Sequence, residues 1–217
     1  GYLEGILSSI GFYVKERAAV EAYTHDIVAS SEIEGLLLNP DQVRSSIARR
    51  MGVQITGEVP YGHYVEGIVQ MMMDAVQGYD KPLTDDRLFG WHCALFPNGR
   101  NGYEEINVGK YRGDEMNVIS GALGREKVHY HAPAPERVPE EMNIFLKWFN
   151  DPSTPRDYVK SAIAHFWFVC IHPFDDGNGR IGRAIADMAL SQADNSTLRY
   201  FSMSRQIGQE KNKYYDM

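Results

Sequence analysis

The sequence predicts a mostly α-helical protein, a bundle of helices with one short β-hairpin. Apolar residues recur at helical spacing in several segments, as in 139–150 and 181–193. Helix start signals precede other segments, for example Asn39 at an N-cap with Pro40 at the first helical position. Extended runs around a glycine-containing turn occur within 107–135, and this pattern predicts the hairpin.

The first half of the chain is predicted to hold four helices. An apolar stripe over 15–34 indicates the first. The second begins at the N-cap described above and extends to about residue 50, and after a loop the third covers 64–79. The fourth covers 84–96 and precedes a glycine-containing turn cluster at 97–102.

The second half of the chain is predicted to hold the hairpin and the centre of the bundle. The strands of the hairpin are placed at 116–119 and 128–133. The helices that follow are placed at 139–150, 158–171 and 180–193, and another begins at Ile207. Segment 158–171 is apolar on nearly every side, so the bundle is expected to form around it and its successor.

Composition narrows the functional class. The chain has 217 residues, of which 43% are hydrophobic, enough for one domain or one domain with a helical extension. Its net charge of −7 argues against nucleic-acid binding, and no apolar run approaches a membrane span of about 18 residues. Cys93 and Cys170 lack metal-ligand spacing and are expected to be buried, reduced thiols, which favours a cytoplasmic protein. The chain opens with Gly1, and we expect that the natural protein could extend at either end and carry further domains.

The densest cluster of reactive residues lies at 172–183, His-Pro-Phe-Asp-Asp-Gly-Asn-Gly-Arg-Ile-Gly-Arg. His172 suits a general base, because the unperturbed pKa of histidine lies near neutrality. Asp176 can hold Mg²⁺ that in turn binds phosphate. The glycine-rich turn opens a helix whose free N–H groups attract anions, and Arg180 and Arg183 share one helix face, where they can clamp phosphate oxygens.

Other interpretations of this cluster explain less. A solvated polar loop with a helix cap would leave the combination of base, carboxylate and arginines unused. A P-loop requires a lysine after its glycines, and none follows here. An EF-hand loop with Gly179 at its sixth position would begin at Phe174 and end at Ile185, neither of which can ligate Ca²⁺ through its side chain.

The cluster resembles the signature of Fic-domain proteins, His-Pro-Phe-x-Asp-Gly-Asn-Gly-Arg-x-x-Arg, at every fixed position. The resemblance implies a Fic-type helical bundle with a β-hairpin flap, and an enzyme that transfers AMP from ATP to a protein hydroxyl. The roles that it implies are a base at His172, Mg²⁺ binding at Asp176, an anion hole at Gly177, Asn178 and Gly179, and β- and γ-phosphate contacts at Arg180 and Arg183, respectively.

A second motif lies near the end of the first predicted helix. Ser30-x-x-x-Glu34-Gly35 matches the pattern of the inhibitory helix found N-terminal to the core in many Fic proteins (class II). From the local pattern alone, Glu34 would be an ordinary solvated carboxylate that mildly opposes the helix dipole. The resemblance implies instead that Glu34 pairs with Arg183 and competes with a nucleotide phosphate for it. We therefore expect a region 1–50 with the inhibitory motif and a catalytic core at 51–217.

The resemblance also assigns a target site. The hairpin, at about 113–133, would be the flap that holds a protein target by strand addition. Residues that could contact the target or the adenine are Val118, Ile119, Tyr214 and Tyr215. The cofactor implied is Mg²⁺, with ATP as co-substrate and a protein, this chain itself included, as target.

Three functions stay open at this point. The first is a Mg²⁺-dependent adenylyltransferase that releases pyrophosphate and is inhibited by Glu34. The second is a hydrolase that removes AMP from a modified protein with the same residues. The third is a nucleotide-binding regulatory module without turnover, although a module that only binds would not need the base at His172. Neither a membrane nor a nucleic acid is expected as a partner, and assembly into a homo-oligomer stays open.

Overall fold

The structure, a computed structural model, describes residues 12–120, 127–197 and 202–210. Its helices are α1 (Phe12–Ile33), α2 (Pro40–Met51), α3 (His63–Gln77), α4 (Asp85–Leu95), α5 (Val138–Asn150), α6 (Tyr158–Ile171), α7 (Asn178–Asp194) and α8 (Met203–Gln209). Its strands are β1 (Arg100–Asn101), β2 (Glu104–Glu105), β3 (Asn117–Ser120) and β4 (Lys127–His131). The predicted fold class, mostly α-helical with a short hairpin, is confirmed.

Helix α7 is the centre of the bundle. Helix α6 packs along it, α3 and α4 pack against other sides, and α1 and α8 also contact it. Its predicted apolar stripe is buried, with Ile181, Ile185 and Met188 each 0% exposed. The alanines between them are buried as well, so α7 is enclosed on all sides along most of its length. Its first turn therefore lies in the interior, where unpaired N–H groups need a partner.

Helix α6 is apolar on nearly every side, but only one of its faces is buried. Its inner face carries Phe168, which is 0% exposed, whereas Phe166 is 71% exposed and Val159 63% exposed on the outer face. The apolar composition of this helix thus hides a division into an inner and an outer face, because hydropathy alone does not tell which apolar side chains find a neighbour.

An aromatic cluster joins the helices to the loop at 172–177. The Phe168 ring lies 6.0 Å from that of Phe145 on α5 and 6.3 Å from that of Phe174 in the loop. The Phe174 ring also stacks on His92 of α4, with 4.3 Å between the ring centroids. Buried aromatic pairs of this kind stabilise beyond their area alone, so the core holds the loop in place.

The predicted helix boundaries have physical causes that the structure shows. Asn39 caps α2 by accepting a hydrogen bond from the Asp41 N–H at 2.9 Å, with Pro40 as the first helical residue. Helix α1 ends in a turn in which Gly35 takes the left-handed conformation, with φ of +75°. The N–H after it, on Leu36, donates to the Ser31 carbonyl at 3.0 Å, which closes the helix end.

Two short sheets are described. Strands β3 and β4 form the predicted hairpin as an antiparallel pair, with Asn117 opposite His131 and an irregularity after Val118. A second pair, β1 and β2, forms inside the predicted turn cluster at 97–102 and just beyond it. Each of its strands has only two residues, too short for the alternation that identifies a strand in a sequence.

Neither cysteine is buried as expected. Cys93 is exposed, and Cys170 is partly buried. Cys93 has apolar neighbours in the sequence of α4, but its own position on that helix faces outward.

Among the described residues no helix is long and apolar enough to cross a membrane.

Two phenylalanines two positions apart on α6 offer a test of this packing. We expect Phe168→Ala to lower the free energy of unfolding by about 3–5 kcal/mol, because it leaves a cavity in the aromatic cluster. Phe166→Ala, on the outer face, should change it by no more than about 0.5 kcal/mol. Urea denaturation of both variants measures the difference, and equal losses would contradict the inner and outer faces described here.

Candidate active site

The cluster at 172–183 forms a loop from the C-terminus of α6 to the first turn of α7. His172 ends α6 in the left-handed conformation, with φ of 51° and ψ of 58°. Its ring Nδ1 lies 3.1 Å from the Val169 carbonyl, which can only accept, so Nδ1 carries the proton and Nε2 is left as an acceptor. Burial lowers the pKa of His172, and nearby Arg112 lowers it further. The ring is therefore neutral near pH 7, as a general base requires.

The side chain of Asn178 closes the loop on itself. Its Oδ1 accepts from the Phe174 N–H at 2.9 Å, and its Nδ2 donates to the Phe174 carbonyl at 2.7 Å. Both residues are almost fully buried. Asn178 thus satisfies the backbone of a loop residue that the core has enclosed, and its part in the predicted anion hole is left to its own backbone N–H.

The residues predicted to form an anion hole lie at the start of α7. Gly177 precedes the helix with φ of +81°, and a Cβ there would meet the Phe96 ring at 3.0 Å, so only glycine fits without strain. A Cβ on Gly179 would lie 2.2 Å from Oε1 of Glu34. The Glu34 carboxylate therefore lies directly against the backbone of this turn, at the positive end of the helix dipole.

Arg183 holds the same carboxylate. Its Nη2 lies 2.8 Å from Oε1 of Glu34 and donates to the Ser30 carbonyl at 2.9 Å. Its Nε donates to Oγ of Ser30 at 2.8 Å. The Arg183 side chain is 4% exposed, so Ser30 and Glu34 accept these hydrogen bonds in a buried setting. Such charge-assisted bonds are the stronger kind of hydrogen bond.

Arg180 is the second buried cation of the site. Its Nη2 lies 3.5 Å from Oδ1 of Asp176, its Nη1 lies 3.4 Å from the Tyr64 hydroxyl, and its guanidinium carbon lies 5.1 Å from the centre of the Phe96 ring. Its Nε is buried with no hydrogen-bond partner among the described residues. A buried donor without an acceptor is costly, and an anionic ligand would relieve that cost.

Asp176 and its neighbour Asp175 are held by asparagines from the chain around β1 and β2. Oδ2 of Asp176 accepts from Nδ2 of Asn101 at 2.6 Å. Oδ2 of Asp175 accepts from the N–H and the side-chain amide of Asn107, at 3.0 and 2.8 Å. These bonds fasten the segment that follows α4 onto the loop, and they fix the direction of the Asp176 carboxylate.

Among the described residues no group of three or more acidic, histidine or cysteine side chains is arranged to hold a metal. Asp176 can supply a carboxylate, and Mg²⁺ in nucleotide enzymes is commonly held by one or two carboxylates together with substrate phosphates. The residues present therefore fit a Mg²⁺ that binds with a nucleotide, and they do not form a separate metal centre.

Sequence reasoning missed several residues that touch the site. Tyr64 and Asn101 come from a helix start and a turn, and no local pattern links them to the loop. His92 lies under the loop, with its Nδ1 accepting from the Gly109 N–H at 3.3 Å. Arg112 donates to the His172 carbonyl at 2.7 Å.

The residues predicted for the target and the adenine have different outcomes. Val118 and Ile119 lie in β3, and the structure describes their backbone only. Tyr214 and Tyr215 lie outside the described residues, as do positions 121–126 of the predicted flap. Their roles stay predictions.

Comparison with known proteins gives matches over both parts of the chain. A model of the Fic/DOC family matches residues 82–190, half of the chain, and a model of a domain of unknown function, DUF4172, matches residues 1–53. The Fic protein adenylyltransferase of Nematostella vectensis is 26% identical over 183 residues, which are 82% of this chain and 40% of that protein. The uridine 5'-monophosphate transferase of Xanthomonas campestris pv. campestris (strain 8004) is 31% identical over 120 residues, 51% of this chain and 21% of that protein.

A solved structure shares the fold. The crystal structure of a Fic family protein from Desulfovibrio desulfuricans G20 matches with a TM-score of 0.63 and 26% identity, over 90% of this chain and 55% of that one. The chain spans less than half of the length of each of the two relatives above.

The buried ring of His92 gives the site a measurable pH dependence of stability. Burial lowers its pKa to about 4, although Asp175 and Asp176 act in the opposite direction. The unfolded chain, with an ordinary histidine pKa of about 6.5, takes up the proton first as the pH falls. The stability that this residue contributes is therefore complete above pH 6.5 and is lost towards pH 4, with about 2 kcal/mol gone at pH 5.

We expect His92→Asn to remove this contribution, because an asparagine Oδ1 can replace the Nδ1 acceptor but does not titrate. Between pH 7 and pH 5 the natural protein should lose about 2 kcal/mol more unfolding free energy than the variant. Urea denaturation at both pH values measures the difference. His63→Asn, at a histidine with a 93% exposed side chain, is the control and should keep the full loss. Equal losses in the His92 variant and the natural protein would refute the assignment.

Proposed function

Because the chain belongs to the Fic/DOC family, we propose that it is a protein adenylyltransferase that moves AMP from ATP to a Tyr, Thr or Ser hydroxyl of a protein. One observation carries the proposal. Oε1 of Glu34 lies 2.8 Å from Nη2 of Arg183 and against the first turn of α7, the helix that follows the loop beginning at His172. An anion is thus already bound where the phosphates of a nucleotide would go.

The chemistry follows from the positions of these groups. The acceptor oxygen forms a bond to the α-phosphorus, the bond from that phosphorus to the oxygen bridging to the β-phosphate breaks, and pyrophosphate leaves. Nε2 of His172 takes the hydroxyl proton, because Nδ1 is already protonated and bonded to the Val169 carbonyl. Backbone N–H groups at the start of α7 face the negative charge that develops on the phosphate.

The arginines and Asp176 are assigned to the β- and γ-phosphates and to Mg²⁺. Arg180 is assigned to the β-phosphate region and Arg183 to the γ-phosphate, as the family pattern implies. Asp176 would hold Mg²⁺ together with the phosphates. Bound there, the ion would neutralise negative charge on the phosphates.

The flap formed by β3 and β4 is proposed to hold the target. It is a two-stranded sheet among the described residues, so a strand of the target could pair with its free edge through main-chain hydrogen bonds. Such pairing places few demands on the side chains of the target. The target of the enzyme can be another protein or this chain itself.

We place the reaction in the cytoplasm, where cysteine thiols stay reduced.

Glu34 is proposed to inhibit this reaction. Its carboxylate and a γ-phosphate would compete for the same guanidinium and for the same helix start. ATP would then bind weakly or with its phosphates displaced. Glu34 directly follows α1 in the region that the DUF4172 model matches, and its partner Arg183 lies in the region that the Fic/DOC model matches.

The first test is Glu34→Gly. We expect it to raise transfer of label from α-labelled ATP to protein by about 10- to 100-fold, the factor equivalent to a charge-assisted hydrogen bond of about 1.5–3 kcal/mol. Label is measured on denatured protein in the presence of Mg²⁺. Glu32→Gly removes the same charge from the exposed side of the same helical turn and is the matched control, with no expected rise.

Two other substrates, labelled UTP and a protein that already carries AMP, distinguish this function from the alternatives. Transfer from α-labelled UTP instead would change the donor, as in the uridine 5'-monophosphate transferase that is similar to this chain. Loss of AMP from a previously modified protein, without transfer from ATP, would favour the hydrolase. Equal labelling of the Glu34→Gly variant and the natural protein would refute the autoinhibition.

A second test concerns the base. Because burial lowers the pKa of His172, transfer by the Glu34→Gly variant should keep its rate as the pH falls from 8 to 6.5, the ordinary histidine pKa, and decline only below it. Adding His172→Ala should reduce the rate by about 10²- to 10⁴-fold and abolish this dependence. The pH–rate profile of both proteins measures this. An unchanged rate without His172 would exclude it as the base.

A further inference from the structure

Arg112 is a buried cation for which the proposed reaction gives no role. It follows Tyr111 in the segment that lies beneath the loop, and it is 3% exposed. We propose that Arg112 is a positioning residue that clamps the base of the flap to the backbone of His172, so that a target hydroxyl on the flap meets the ring that deprotonates it. This inference rests on the proposed function.

The guanidinium joins two parts of the structure. On the side of α6, its Nε donates to the His172 carbonyl at 2.7 Å and its Nη2 to the Ile171 carbonyl at 3.4 Å. On the side of the flap, Nη1 donates to the Asp114 carbonyl and Nη2 to the Pro133 carbonyl, both at 2.6 Å. Asp114 precedes β3 and Pro133 follows β4, so one side chain holds both stems of the flap.

The backbone of the same residue adds a fifth contact. The N–H of Arg112 donates to the carbonyl of Pro173 at 2.9 Å. Three consecutive carbonyls at the end of α6, from Ile171 to Pro173, are thus bound by one residue. All of these acceptors belong to the backbone, so the clamp holds the course of the chain and is independent of the side chains along the flap.

The conformation of His172 explains why such a clamp is needed. A non-glycine residue with φ of 51° is in a disfavoured region, which persists only where the surroundings hold it. Its carbonyl accepts a hydrogen bond from Nε of Arg112. The cation also lies at the negative end of the α6 dipole, where a positive charge is favourable.

Arginine suits this position for a geometric reason. Its planar fork offers several donors in fixed directions, whereas lysine offers one nitrogen and cannot reach both stems of the flap and the helix end together. We therefore expect Arg112→Lys to keep the buried charge and to lose the clamp.

The test compares Arg112→Lys and Arg112→Met in the full chain, each combined with Glu34→Gly. The matched control is Arg87→Met in the same background. Arg87 also donates to backbone carbonyls, those of Asp74, Gly78, Lys81 and Pro82. It belongs to α4, and its hydrogen bonds go to α3, to the turn after α3 and to Met188 of α7 rather than to the loop or the flap, so its loss should lower stability only.

Two readouts separate positioning from stability. The first is the ratio of label fixed on protein to AMP released into solution from α-labelled ATP, since water can reach His172 without the flap. We expect Arg112→Lys to lower this ratio about tenfold and Arg87→Met to leave it unchanged. The second is amide hydrogen exchange, which should rise in 113–120 and 127–134 for the Arg112 variants alone.

Each result decides the inference. Faster exchange in the flap stems together with a lower ratio supports the clamp. Unchanged exchange, or an unchanged ratio despite faster exchange, overturns it. Arg112→Lys decides the question even where Arg112→Met fails to fold. If the Glu34→Gly parent transfers no label at all, the proposed function has failed, and the exchange measurement still shows whether the clamp exists.

Discussion

The buried start of helix α7 is the constraint on which the rest of the structure depends. A helix enclosed on all sides presents free N–H groups and the positive end of its dipole to the protein interior, and Arg180 and Arg183 add two buried cations beside them. This concentration of positive charge requires an anion. In the structure the chain supplies one from its own helix α1, the carboxylate of Glu34.

The end of α1 is shaped to deliver that carboxylate. The helix stops just before Glu34, and the left-handed turn at Gly35 carries the chain away from the site. Ser30, one turn earlier, binds the same arginine with its hydroxyl and its carbonyl. In the proposed function this arrangement is exchangeable, because a nucleotide phosphate offers the same charge to the same donors. In that proposal, inhibition occurs when the Glu34 carboxylate fills the anion site, and nucleotide binding occurs when a phosphate fills the same site.

The opposite side of the loop is built for rigidity. The Phe174 ring is enclosed by aromatic neighbours, and the side chain of Asn178 binds both backbone polar groups of that residue. The loop is thereby anchored in the core between the base and the anion site. In the proposed function, with the proposed Arg112 clamp, the positions of the base, the phosphates and the flap would all depend on buried contacts, which suits a reaction that requires alignment of two substrates.

The sequence by itself determined the helical class, the starts of helices such as α2, and the identity of the loop at 172–183, because these depend on periodicity, capping and a contiguous motif. It could not show that α6 has an exposed face, nor that Asn101 and Arg112 touch the loop, because such contacts join residues far apart in the chain and leave no local pattern. The resemblance implied a pair between Glu34 and Arg183, and the tertiary structure added that the Glu34 carboxylate lies against the backbone at Gly179. The sequence supplied the charge, and packing of α1 against the bundle decided where that charge lies.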